Sequence, residues 1–140
     1  MLLIKAYFQV WGRCACKLGS GHLNILATVS HHWLPLTVSL LVLVTALSLW
    51  PLPHLPEVPG SDKTHHLIAY AALAFPVALR SPNRWLFIVM AIMLYGGMIE
   101  LVQPFVNRYG EWLDFFANTA GMMIGVLLGR LLRKLDSNAD

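Results

Sequence analysis

Residues Tyr95–Gly125 read YGGMIELVQPFVNRYGEWLDFFANTAGMMIG. Five polar side chains, Glu100, Gln103, Arg108, Asp114 and Asn118, stand in this stretch between the apolar runs Trp85–Leu94 and Phe115–Leu128. An ionised side chain inside a bilayer costs roughly 2.5 kcal/mol or more, so such groups persist where they have a use. The stretch therefore reads as the junction of two membrane helices that holds polar groups for a purpose.

Composition supports this reading. Of 140 residues, 57% are hydrophobic and 12% charged, against roughly a quarter charged in a soluble domain. The length is that of one domain, and the class is an all-α integral membrane protein. The formal net charge is +3, yet the basic residues stand at the ends of apolar runs, as in loops facing the cytoplasm. That placement argues against nucleic acid as a partner. Cys14 and Cys16, with one residue between them, lie outside the apolar core and indicate neither a zinc site nor a disulfide framework.

Working outward, Trp33–Trp50 (WLPLTVSLLVLVTALSLW) is free of charge and has Trp at each end, where aromatic rings anchor to the headgroup regions. Pro35 near its start is harmless and Pro51 stops it. PLPHLPEVP (51–59) is a stiff extended connection. The second span is SDKTHHLIAYAALAFPVAL (61–79), with Ser61 as N-cap, Asp62 at the positive end of the helix dipole and a kink expected at Pro76. Arg80 to Arg84 form a tight basic loop. Trp85–Val102 is the third span, ending at Pro104, and Trp112–Leu132 the fourth.

The expected fold is thus a bundle of four short transmembrane helices over residues 33–132. Residues 1–32 form an extension, weakly structured or lying in the interface unless the true start is further along, and residues 133–140 form a tail. With four spans, Lys5, Arg13, Lys17, Arg80, Arg84, Arg130, Arg133 and Lys134 share one side, and only Lys63 and Arg108 the other. That asymmetry puts both termini in the cytoplasm and the loops after Pro51 and Pro104 outside.

Helix rise then sets depth. His66 lies one turn inward of Asp62, Glu100 one turn inward of Pro104 and Asn118 one turn inward of Asp114, each about 6 Å at ~1.5 Å per residue. Three polar side chains from three helices therefore sit at one level, beneath Asp62, Lys63, Arg108 and Asp114. Asp62, His66 and Tyr70 share a face, as do Glu100 with Gln103 and Asp114 with Asn118. The simplest arrangement is a polar pocket open to the outer leaflet. Gly121, Gly125 and Gly129 continue the last stripe as a small-residue packing face, with Gly96 and Gly97 as possible partners.

The ordered set Asp62-Lys63-x-x-His66 with Tyr70, Glu100-x-x-Gln103, Arg108, and Asp114-x-x-x-Asn118-x-x-Gly121 resembles the VanZ-like family of small membrane proteins, named for a teicoplanin-resistance protein. The similarity covers about Ser48 to Leu132, and Asn107 departs from the family pattern, which has Gly there. The resemblance implies a bacterial cell-membrane location, a glycopeptide-resistance link for the namesake, and a relation to enzymes acting on lipid-linked phosphate headgroups.

On the residues themselves, His66, Glu100 and Asp62 are the candidate catalytic groups: the imidazole serves as general base or nucleophile and a carboxylate orients it. Arg108 and Lys63 suit an anionic headgroup, with Gln103, Asp114 and Asn118 as further ligand contacts. The bland alternatives are a buried structural ion pair for Glu100, a cap for Asp114 and a helix bridge for Asn118. His65 points about 100° away from His66 and reads as an interface residue. No cofactor and no metal are expected: His65, His66, Asp62 and Glu100 offer donors, but no two histidines stand at i, i+4. The partner is a membrane lipid or lipid-linked intermediate, with a homo-oligomer possible. Three uses fit: an envelope enzyme working on that headgroup, a protein that binds it without turnover, or a proton-coupled carrier.

Overall fold

The computed structural model describes residues 21–50, 62–106 and 111–137, and all regular structure among them is helical. Five α-helices follow in order: α1 Gly21–His31, α2 Trp33–Leu49, α3 Asp62–Arg80, α4 Trp85–Val102 and α5 Trp112–Ser137. A short 3₁₀ turn, Gln103–Val106, follows α4. Ser61, the 51–59 connection, Arg108, Asn107 and both cysteines lie outside the described residues.

The limits of α2, α3 and α4 match the apolar runs and their prolines. The apolar helices also hide their hydroxyls: Thr37 Oγ donates to the Trp33 carbonyl at 2.7 Å, Thr45 to Leu41 at 2.6 Å and Thr119 to Phe115 at 2.9 Å. Bonding to the i−4 carbonyl satisfies a hydroxyl where no water is at hand. Pro76 is buried within α3, which continues through it to Arg80. Ser81, at φ 46°, then ends the helix, its amide bonding back to Val77 O at 2.8 Å.

Two elements exceed the sequence expectation. Residues 21–31 are helical, and α1 meets α2 at an 80° bend. α5 runs to Ser137 rather than stopping at Leu132. Two helices are long and apolar enough to cross a membrane, Trp85–Val106 and Trp112–Asp136, and up to three if the bent α1–α2 pair counts as one span.

Direction follows from the contacts. Leu67 meets Gly121, Ala71 meets Gly125 and Ala78 meets Gly129, so α3 and α5 run parallel. Tyr70 meets Gly96 and His66 meets Glu100, so α4 runs antiparallel to α3. Thr45 bonds Tyr95, and Ser48 bonds Gln103, so α2 parallels α4. α3 is the central element. Leu73, Ala74, Val77 and Ala78 are fully buried, and its contact with α5 is the most extensive among the described helices. Tyr70, Leu73, Ala74, Val77, Val89, Ile92 and Met122 form the core. The outward faces are apolar too: Val42, Phe87, Met98, Leu101, Met123 and Leu127 are all exposed, as lipid-facing surfaces require.

The glycine stripe works through backbone contact. A β-carbon at Gly121 would overlap the Leu67 carbonyl oxygen, and one at Gly125 that of Ala71. At Gly129 it would stand 2.9 Å from Ala78 Cβ and Phe75 O. These glycines therefore face α3. Gly96 and Gly97, the partners expected from sequence, instead receive side chains: Gly96 lies under the Tyr70 ring and Gly97 against Phe115.

At the far end of α5, the Arg130 guanidinium lies 4.9 Å over the Trp85 ring and donates to Ser81 Oγ at 3.3 Å. That contact ties the α3–α4 turn to α5.

Candidate functional site

The N-terminal turns of α3 and α5 and the C-terminal turn of α4 come together at one end of the molecule. α3 brings Asp62 and His66 on one face, α4 brings Glu100 and α5 brings Asp114 and Asn118. Parallel packing of α3 and α5 sets residues 62–66 beside 114–118, and antiparallel α4 delivers Glu100 to the same level.

The three side chains expected at one depth are in contact. Asn118 Nδ2 donates to Glu100 Oε1 at 3.1 Å, and His66 Nδ1 stands 3.0 Å from Asn118 Oδ1. A carboxylate only accepts, so the amide turns its NH₂ to Glu100 and its carbonyl to His66, and the His66 Nδ1–H donates. Glu100 Oε1 is a further 3.7 Å from His66 Nδ1. The relay is buried, with Asn118 2% exposed and His66 and Glu100 each 8%. In the neutral imidazole the sense of the relay leaves the His66 Nε2 lone pair as the free end of the chain.

Above this relay lies a charged layer. Lys63 Nζ pairs with Glu111 at 2.8 Å and stands 3.8 Å from Asp114 Oδ1. Asp62 is exposed, whereas Asp114 is 2% exposed. Among the described residues, three buried oxygens accept no hydrogen bond: Glu100 Oε2, Gln103 Oε1 and Asp114 Oδ1. Gln103 uses its amide nitrogen on the Ser48 carbonyl at 3.3 Å, so it joins α2 to the end of α4. Tyr70, fully buried beneath His66, belongs to the core.

A family model for VanZ/LLP1 matches residues 20–133. The chain belongs to the VanZ/LLP1 family. No curated protein and no solved structure matches it. The family match begins at residue 20, ahead of the Ser48 start read from the motifs, and so takes in α1.

Of the sequence-predicted residues of this VanZ/LLP1 protein, the structure brings together His66, Glu100, Asn118, Asp114, Asp62 and Lys63. Gln103 is set apart by its bond to α2, Arg108 lies outside the described residues, and His65 is exposed. Glu111 was missed. Its signal was position, because it directly precedes α5 and α3 runs beside α5 in parallel, which puts it next to Lys63. The donor set that a metal could use also differs from the one weighed on sequence: Asp62, His66 and Asp114 converge, without His65 or Glu100.

Proposed function

We propose that this VanZ/LLP1 protein is a bacterial cell-membrane protein whose outward-facing polar site takes the phosphate headgroup of a lipid or lipid-linked cell-wall intermediate. The observation that carries the reading is the buried His66–Asn118–Glu100 relay, which orients an imidazole and leaves its Nε2 free to face a ligand. A carboxylate buried to hold a histidine in one tautomer is an arrangement suited to chemistry at the other nitrogen. Lys63 supports the anion assignment. Its pair with Glu111 is about half exposed on both sides, so exchanging the carboxylate for a phosphate loses little. In this reading Lys63 and Arg108 hold the anion, and His66, Glu100 and Asp62 work on it. Altered access to a cell-wall intermediate would be the route to any glycopeptide resistance.

The same proposal includes four spans, α2 to α5, with both termini cytoplasmic. α3 is more polar than the others at its start, but it parallels α5 over most of its length and so crosses wherever α5 crosses. A reporter fused after Pro56 is expected to read external and one after Asp140 cytoplasmic. A cytoplasmic signal at Pro56 would overturn the outward site.

The function is tested by mass spectrometry of total and polyprenyl-linked lipids from cells expressing wild type, His66→Ala or Glu100→Gln at matched membrane levels. A lipid species that changes with wild type and reverts in both variants is expected, and it would name the headgroup. Identical profiles in all three would remove the enzymatic reading and leave binding without turnover.

A further inference from the structure

Three metal-ligating side chains converge at the mouth of the site from two helices. Asp62 and His66 stand one turn apart on α3 and Asp114 on α5, with one ligand-type atom of each within 4.8 Å of the other two. Donors around an ion at ~2.1 Å stand about 3.4 Å apart. Asp62 is exposed, and a change of its side-chain torsions adjusts that spacing.

Two further observations point to a cation. Asp114 is 2% exposed and its Oδ1 accepts no hydrogen bond. The nearest ammonium, Lys63 Nζ at 3.8 Å, is too far to donate and is committed to Glu111. A buried carboxylate oxygen without a donor is costly, and a bound cation removes that cost. Separately, the His66 Nδ1–H donates to the Asn118 carbonyl. Metal-ligating histidines almost always make such an outer bond, which fixes the tautomer and turns the other nitrogen to the ion. Charge agrees: Asp62 and Asp114 bring two carboxylates to the spot, and Lys63, the cationic side chain beside Asp114 among the described residues, is paired with Glu111.

We infer that Asp62, His66 and Asp114 hold a divalent first-row cation of the Zn²⁺ or Mn²⁺ kind, with positions left open for a phosphate oxygen. One imidazole and two carboxylates select such an ion, and three protein ligands are the pattern of open rather than structural sites. The inference deepens the headgroup reading. It rests on that reading for the anion but not for the cation, and in it His66 Nε2 meets the phosphate through the ion.

The test titrates Zn²⁺ and Mn²⁺ alone, by calorimetry, into chelator-stripped, untagged full-length protein in detergent. One ion per chain is expected. Asp62→Asn and Asp114→Asn should each weaken binding at least ~10-fold, the lower end of what losing even an outer partner costs. Lys63→Ala should tighten it, because a positive charge 3.8 Å from Asp114 Oδ1 is removed. Asp62 is exposed, so Asp62→Asn reports even if Asp114→Asn does not fold. Failure of folded wild type to bind one ion overturns the inference. So does binding that both variants leave intact, which would assign the ion to other histidines such as His31 and His32. Metal binding without any lipid change would remove the enzymatic part of the headgroup reading and keep the cation site, and a lipid change without metal binding would overturn the cation site and keep the headgroup reading.

Discussion

Gly125→Leu is expected to abolish the folded protein in membranes, or to leave a species whose detergent melting midpoint falls by roughly 10 °C or more. The glycine sits against the Ala71 carbonyl, backbone to backbone, in the middle of the α3–α5 contact. A side chain there has no flexible neighbour to displace, so the helices must part. Separation unpacks Leu73, Ala74, Val77 and Met122, which share the buried core cluster. Overpacking a well-filled interior costs typically 1–3 kcal/mol and more where backbone must move. For a chain of this size each kcal/mol is worth several degrees, about 4 °C. Gly97→Ala is the control. A β-carbon there meets Phe115 ring carbons at 3.2 and 3.5 Å, and a ring edge can give by a few tenths of an ångström. Its midpoint should stay within about 4 °C of wild type, the span of ~1 kcal/mol in a chain this long. If Gly125→Leu melts like wild type, the parallel α3–α5 packing is wrong.

Asn118→Leu should destabilise the protein by roughly 2–5 kcal/mol and eliminate any His66-dependent lipid change. Leucine fills the volume but removes both bonds of the relay, leaving His66 Nδ1–H and Glu100 Oε1 unpaired at 8% exposure. Each buried polar group left without a partner costs about 1–3 kcal/mol, and more if charged. The asymmetry of that rule gives a sharper expectation. Removing both partners can be nearly neutral, so Glu100→Met added to Asn118→Leu should recover ~1–3 kcal/mol of stability while restoring no function. The double-mutant cycle, read from denaturation of the purified proteins, isolates the Asn118–Glu100 term. Additive effects of the two substitutions would mean that the amide does not bridge the helices.

Much of this was legible in the chain itself, for a physical reason. Trp33, Trp85 and Trp112 at the starts of apolar runs, and Pro51 and Pro104 just beyond two of their ends, fixed where helices begin and stop. α2 and α4 match that reading to within a residue. Constant rise per residue set the depth of His66, Glu100 and Asn118, because position along a helix depends on local geometry alone. α1 is not evident from sequence because GHLNILATVSH is too short to be helical by itself. Isolated helices of fewer than about 12–15 residues are marginal, and α1 is held by its packing on α2 and α3. α5 outran its apolar run because Arg133, Lys134 and Leu135 favour helix beyond the point where hydropathy ends.

What the sequence determined, then, is how many polar groups the membrane helices carry, on which stripe of each helix and at what depth. Only the tertiary structure decided how the helices rotate toward one another. The glycines of α5 could have faced α4, but backbone contact with α3 is closer, and that choice turned Asp114 and Asn118 toward Asp62 and His66. The same rotation gave Lys63 to Glu111, set Asn118 between an imidazole and a carboxylate, and left Asp114 Oδ1 buried without a donor. Periodicity names the face of one helix. Which face meets which is a property of packing between helices far apart in sequence, where a few ångströms of approach decide among arrangements that the local pattern leaves equal.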